Sequence, residues 1–227
     1  MRVTWYSHSC FLVESGPFGL LFDPYFTGNP SAPIQARDVR CTHVFCSHAH
    51  VDHLGDAVDL SRANDAPVVT GYELAEHLAA QGVKTVDLMT GGAANLPFGR
   101  VKATPALHSC ALELEAGRNL PLGVAVGFLV TIDGKRLYHA GDTGLFSDMR
   151  LIGRGGLDLA MLPVGDWYTM GIEDAVLALE YLCPAVTLPM HYGTNEKIQT
   201  DPHAFAREAA AAGHRVVVLN PGEAFEL

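Results

Sequence analysis

The period of apolar and polar positions changes several times along the chain. Thr4 to Glu14 is apolar and rich in β-formers, Leu20 to Asp23 is a second short apolar run, and Gly16-Pro17 between them predicts a hairpin. Tyr25 to Ala36, rich in Gly, Pro, Asn and Ser, reads as a loop, and His43 to Ser47 as a short strand. A helix is expected to start within Leu54 to Arg62, and Pro67 to Thr70 reads as a strand. Leu74, Ala75, Leu78 and Ala79 then fall at helix spacing, predicting a helix over Tyr72 to Gln81 that stops at Gly82.

Strands follow at Val83 to Met89, Arg100 to Pro105 and Leu122 to Ile132, the last turning at Asp133-Gly134 into Arg136 to Ala140. Leu157 to Pro163, Val186 to Pro189 and Arg215 to Leu219 read as strands, and Ile172 to Leu182 as a helix stopped by Pro184. Asp201, Pro202 and Gly213 bracket a last helix over Pro202 to Ala212. Hairpins followed by two rounds of alternating strands and helices predict mixed sheets covered by helices. No repeat, linker or low-complexity segment interrupts the pattern, so a single domain over residues 1–227 is expected.

Composition narrows the function. Lys+Arg is 15 and Asp+Glu 25, a net charge of −10, which counts against generic nucleic-acid binding. An anionic small molecule stays open, because a bound metal reverses the local sign. The five cysteines are odd in number and form no C-x-x-C pair, arguing against a disulfide framework or a four-cysteine zinc site. With neither a signal peptide nor an apolar run long enough for a membrane span, a cytoplasmic location is the default expectation. Oligomeric state stays open, a homo-oligomer included.

The strongest chemical signal is Ser47-His48-Ala49-His50-Val51-Asp52-His53, directly after a strand. Imidazoles offer neutral nitrogen ligands near pH 7 and aspartate a hard oxygen. His48 and His50 alternate, so in an extended segment they share one side, whereas the adjacent Asp52 and His53 diverge and can serve a different centre. The pattern suggests two metals. Asp23 ends a strand beside this cluster, where it either accepts the free ring N–H of a ligating histidine or simply initiates a turn before Pro24. His8 either contacts substrate or metal or lies exposed on a strand. His108, Asp142 and His191 each follow an apolar run, so each sits near a strand end, and strand ends converge on one sheet edge.

H-x-H-x-D-H is also the signature of the metallo-β-lactamase superfamily, which the chain resembles from end to end. The resemblance implies an α+β four-layer αββα sandwich, with two mixed sheets packed face to face and helices outside. It also assigns the distal residues. His48, His50 and His108 would hold one metal; Asp52, His53 and His191 would hold the other; Asp142 would touch both. Within the superfamily, His8-Ser9-Cys10-Phe11, Phe22-Asp23-Pro24-Tyr25-Phe26-Thr27-Gly28-Asn29-Pro30 and Pro189-Met190-His191-Tyr192-Gly193-Thr194 look closest to small metal-dependent hydrolases related to L-ascorbate-6-phosphate lactonases.

The activity so implied is a dinuclear hydrolase whose metal-bridging hydroxide cleaves an ester, lactone, amide or phosphodiester of a small molecule. Asp52 would orient that hydroxide and shuttle a proton. Zinc is the first expectation for the two divalent ions, with manganese, iron and nickel also compatible. Three rivals stand beside it: a diiron redox protein, a superfamily nuclease acting on RNA, and a non-catalytic metal-binding protein. Substrate specificity is expected in Tyr25 to Ala36, Glu113 to Pro121 and Asp166 to Ile172, with Asp166, Trp167 and Tyr168 lining the pocket and Arg118 on a solvated hairpin tip.

Overall fold

A computed structural model describes residues 1–227, the side chain of Ala116 excepted. Strands β1 (Arg2–Trp5), β2 (Phe11–Ser15), β3 (Phe18–Phe22) and β4 (His43–Phe45) are followed by helices α1 (Val51–Leu54) and α2 (Ala57–Asn64), then β5 (Val68–Gly71), α3 (Tyr72–Ala79) and β6 (Thr85–Leu88). The second half runs β7 (Ala93–Leu96), β8 (Gly99–Glu113), β9 (Asn119–Ile132), β10 (Lys135–His139), α4 (Met149–Gly153), β11 (Leu159–Pro163), α5 (Ile172–Leu182), β12 (Thr187–Met190), α6 (Pro202–Ala211) and β13 (Ala224–Glu226).

Seven strands form one sheet in the order β13-β1-β2-β3-β4-β5-β6, and six form the other in the order β12-β11-β10-β9-β8-β7. Each sheet is mixed. β1, β2 and β3 pair antiparallel, whereas β3 through β6 are parallel; β7 through β10 pair antiparallel, whereas β10 through β12 are parallel. β4, β5, β11 and β12 are buried at every position, as parallel strands covered on both faces are.

The two-residue alternation of a strand separates two apolar layers. Phe11, Val13, Leu20, Phe22 and Phe45 point into the core shared with Val101, Phe128 and Leu137 of the other sheet. Their neighbours Leu12, Leu21 and Val44 point the opposite way, onto Leu60 of α2 and Leu74 and Leu78 of α3. Phe45 bridges the sheets, stacked on Phe22 at 4.5 Å and edge-on to Phe128 at 5.2 Å between ring centroids. On the far side Ala175 and Leu179 of α5 and Phe205 of α6 join the same core as β11 and β12. The expected four layers are present.

The apolar pattern misjudged five segments. Thr4 to Glu14 is not one strand: Tyr6 to Cys10 leaves the sheet, with Ser7 and His8 at positive φ. β8 continues past Pro105 to Glu113, where pairing with β9 and the packing of Ala106, Cys110 and Leu112 hold a stretch that His108 and Ser109 had disguised. Arg215 to Leu219 makes only an isolated bridge, Val216 to Thr187, while the short β13 that pairs with β1 was not anticipated. Neither was β7, too short and half exposed to carry a pattern.

Candidate metal centre

The parallel halves of the two sheets bring strand ends to one edge. β3 leads into Asp23, β4 into Ser47 and the histidine cluster, β10 into Asp142, and β12 into His191; β1, running with β3, leads into His8. His108 arrives differently. Between the pairs Pro105–Val126 and Ser109–Val124 the β8 register slips, and His108 lies in that bulge. The bulge is tied to the Asp142 loop, since Leu107 N donates to Thr143 Oγ1 at 2.9 Å and Gly144 N to the Leu107 carbonyl at 3.3 Å.

Two glycines make the close approach possible. A Cβ on Gly141, whose φ is +59°, would lie 2.7 Å from Ser47 Cβ; one on Gly165 would lie 2.0 Å from the His191 carbonyl oxygen. His191 itself has φ +58° and donates its N–H to the His8 carbonyl at 3.1 Å.

The donor atoms gather in three overlapping groups, each with its ligand atoms within 4.8 Å of one another: His48, His50 and His108; His48, His53 and Asp142; and His8, Asp52, His53 and His191. His50 Nδ1 lies 2.9 Å from His48 Nε2 and 3.3 Å from His108 Nε2. Asp142 reaches both sides, with His53 Nε2 at 3.2 Å, His191 Nε2 at 2.9 Å and His108 Nε2 at 3.7 Å from its oxygens. All seven residues expected as ligands therefore meet at one place.

Asp23 underlies two of these histidines. Fully buried, it accepts from Ser47 N and Ser47 Oγ, each at 2.7 Å, and from His53 Nδ1 at 2.7 Å. Ser47 Oγ in turn lies 2.9 Å from His48 Nδ1. One carboxylate thus settles which nitrogen of His48 and of His53 carries the proton and leaves both Nε2 lone pairs facing the cluster. Sequence reasoning gave Ser47 no role, although its place next to His48 was a signal. It also gave none to Thr194, whose hydroxyl oxygen lies 2.8 Å from His8 Nδ1.

The electrostatics ask for positive charge. Burial disfavours an imidazolium at His53, yet Asp142, Asp23 and Asp52 outweigh it and raise its pKa well above the ordinary value. Burial likewise opposes charge on Asp142 and Asp52, but His191 and His53 hold Asp142, and His53 and His8 hold Asp52, well below the usual carboxylate range. Burial lowers His48, His50 and His108, keeping each ring neutral with one nitrogen lone pair free; burial, helped by His191, pushes His8 down to about 4. His53 Nε2, Asp142 Oδ1 and His191 Nδ1 are buried without a hydrogen-bond partner among the described residues. Each orphan costs roughly 1–3 kcal/mol. Neutral imidazoles at His48, His50 and His108, ionised Asp52 and Asp142, and a His53 whose surrounding carboxylates favour positive charge fit divalent cations. The 3.3 Å spacing of His50 Nδ1 and His108 Nε2 also matches two nitrogens each about 2 Å from one tetrahedral ion.

A cavity of about 520 Å³ opens over the cluster, walled by Tyr25, Val51, Ser109, Glu113, Tyr168 and Asn195 besides His50, Asp52, His108, Asp142 and His191. Of the three loops expected to set specificity, each contributes: Tyr25, Glu113 and Tyr168. Trp167 stands exposed outside the wall and Asp166 caps its own loop by accepting from Trp167 N, so of that trio only Tyr168 lines the pocket. Arg118 is exposed on the hairpin tip.

Residues 19–192 match the family model of the β-lactamase superfamily domain. A UPF0173 metal-dependent hydrolase of Opitutus terrae is 55% identical over 227 residues, with 100% of both chains covered. The chain belongs to the metal-dependent hydrolases of the β-lactamase superfamily. A further UPF0173 metal-dependent hydrolase, from Archaeoglobus fulgidus, is 43% identical over 100% of this chain and 99% of its own. Among solved structures, Igni18, a metallo hydrolase from the hyperthermophilic archaeon Ignicoccus hospitalis, superposes with a TM-score of 0.89 at 37% identity, covering 100% of this chain and 98% of that one. The hydrolase is thus matched along its whole length. No helix in its described residues is long and apolar enough to cross a membrane.

Proposed function

We propose that the protein is a dinuclear hydrolase of small molecules, cleaving an ester, lactone or phosphodiester bond. The observation that carries this reading is the convergence of seven donor side chains from four separate strand ends and loops, five of them lining the floor of one open cavity and His48 and His53 buried beneath it. His48, His50 and His108 would hold one divalent ion and Asp52, His53 and His191 the other, with Asp142 shared. Two such ions would supply an ionised water near neutral pH and polarise the scissile group. Zinc suits the nitrogen and oxygen donors best.

The chain's own residues do the rest. Asp52, partly exposed to the cavity, would orient the attacking water and relay its proton to the leaving group. Asp23, through Ser47, keeps His48 and His53 in the tautomer that turns Nε2 inward. Tyr25, Val51 and Tyr168 offer an apolar seat for the body of the substrate, and Asn195 and Ser109 offer hydrogen bonds. RNA suits this cavity poorly: among its described lining residues none is Lys or Arg, and the net charge is −10. All five cysteines are free, which suits the reducing cytoplasm.

The test is a panel of chromogenic esters, lactones and phosphodiesters, run on wild type, chelator-stripped protein and His50→Ala. Hydrolysis of at least one class, lost on stripping, restored by zinc and cut about 10³-fold or more in His50→Ala, is expected. Turnover that survives both chelation and the substitution would rule the reading out.

A further inference from the structure

His8 lies in a loop that the sheet pattern did not foresee, and its backbone is strained. Ser7 has φ +98° and His8 φ +54°, left-handed values that cost a non-glycine residue of order 1–3 kcal/mol. Such a conformation persists only where the surroundings impose it. Here Trp5 Nε1 donates to the His8 carbonyl at 2.9 Å and His191 N donates to the same oxygen at 3.1 Å, while Cys10 N closes the turn onto the Ser7 carbonyl at 3.0 Å. The ring is 1% exposed and wedged between Tyr25 and His191, whose centroids lie 5.6 and 4.2 Å away.

Both ring nitrogens are directed. Nδ1 lies 2.8 Å from Thr194 Oγ1, and Nε2 lies 3.2 Å from Asp52 Oδ2 and within 4.8 Å of the donor atoms of His53 and His191. In the metal-free protein Nε2–H can donate to Asp52; with Nδ1–H donated instead to the threonine hydroxyl, the Nε2 lone pair would face the same point as those three donors. A histidine serving only to pack would need neither the strained backbone nor a polar partner at each nitrogen.

We propose that His8 is a further protein ligand of the second centre, completing a set with Asp52, His53 and His191, and that Thr194 is its positioning residue. The inference rests on the two-metal reading above and adds an asymmetry to it. The first centre has three histidines of its own, two of them, His50 and His108, half-buried and facing the open cavity; the second has four protein donors, three of them buried histidines. Closed ligand sets hold metal for structure, whereas sets with an open position leave room for substrate. The second centre therefore fills first and holds its ion more tightly, and substrate meets the first.

Cobalt titration of the metal-free full-length protein tests this, with calorimetry for stoichiometry and visible absorption for coordination. The variants are His8→Asn, since asparagine tolerates the left-handed backbone, and Thr194→Val, which removes only the hydroxyl. Wild type should take up two equivalents in two steps. In His8→Asn the tighter step should weaken about 100-fold and the visible band of that cobalt should change position and intensity at saturation. Thr194→Val should weaken the same step about 10-fold and keep the band. Circular dichroism of the metal-free variants checks folding, and if His8→Asn does not fold, an unchanged titration of Thr194→Val overturns the proposal by itself. Two equivalents in both wild type and His8→Asn with one common spectrum would defeat the ligand alone, a positioning role through Asp52 being all that is left. Wild type taking up no second equivalent would defeat the two-metal reading and the ligand with it.

Discussion

The two sheets supply the site in different ways. The first sheet contributes Asp23 and the compact run from His48 to His53, and holds them through side chains: Asp23 to Ser47, Asp23 to His53, Ser47 to His48. The second sheet contributes one residue at a time, His108, Asp142 and His191, and holds them through the backbone: a bulge in β8, a left-handed Gly141, and a Gly165 whose hydrogen makes room for the His191 carbonyl. The first arrangement is a hydrogen-bonded network and the second a steric fit. Networks degrade by degrees when one member is altered, whereas a steric fit in a buried core has nowhere to yield.

The difference can be broken most sharply on the steric side. Gly165→Ala places a Cβ, in the buried turn after β11, 2.0 Å from the backbone oxygen of His191. A loss of about 3 kcal/mol or more in unfolding free energy is expected, read by urea denaturation, together with loss of metal at the second centre. A variant as stable and as metal-replete as wild type would show that the turn has slack and that the contrast is overdrawn.

Acid probes the network. In metal-free protein the His8 pKa is pushed down to about 4 from an ordinary 6.5. Between those values the unfolded chain binds a proton that the folded one refuses, so stability falls as pH drops from 6.5 towards 4 and falls no further through this group below that. Its share is roughly 3 kcal/mol. His53, raised by its carboxylates, acts in the opposite sense, adding stability below 6.5 that is lost as pH rises through its folded value. Melting temperatures of metal-free wild type and His8→Asn at pH 7 and pH 4.5 should therefore diverge less at the acid end, the variant showing the flatter profile. Parallel profiles would mean that His8 is solvated rather than buried.

The gentlest change should be Asp23→Asn, which keeps the shape and removes the charge. The amide can satisfy Ser47 N but not every donor that converges on the carboxylate, so His48 and His53 lose their fixed tautomers. Metal affinity should fall about 10–100-fold, with the melting temperature of the metal-free protein changed by only a few degrees. An affinity unchanged within twofold would mean that the histidines orient themselves.

The same contrast governs what could be read from the residues alone. His48, His50, Asp52 and His53 announce themselves because a loop after a strand needs no such density of imidazole, and the alternation of His48 with His50 already separates them from the adjacent pair. His108, Asp142 and His191 are single polar residues after apolar runs, and their gathering depends on sheet order, which no local pattern encodes; the family signature assigned them. His108 in particular sits in a bulge, a feature created by pairing with β9. His8 and Thr194 are 186 positions apart, so nothing short of the fold could join them. The layers themselves were legible where alternation was strict, as in Phe11 to Val13 and Leu20 to Phe22, and illegible at β7, β13 and Tyr6 to Cys10, where edge pairing or backbone strain outweighs pattern.

Anomalous diffraction at the zinc edge from crystals of zinc-reconstituted protein examines the main assertion with least intermediary. Two peaks per chain are expected, one among His48, His50 and His108 and one among Asp52, His53 and His191, with Asp142 between them. A single peak, or peaks away from these side chains, would contradict it.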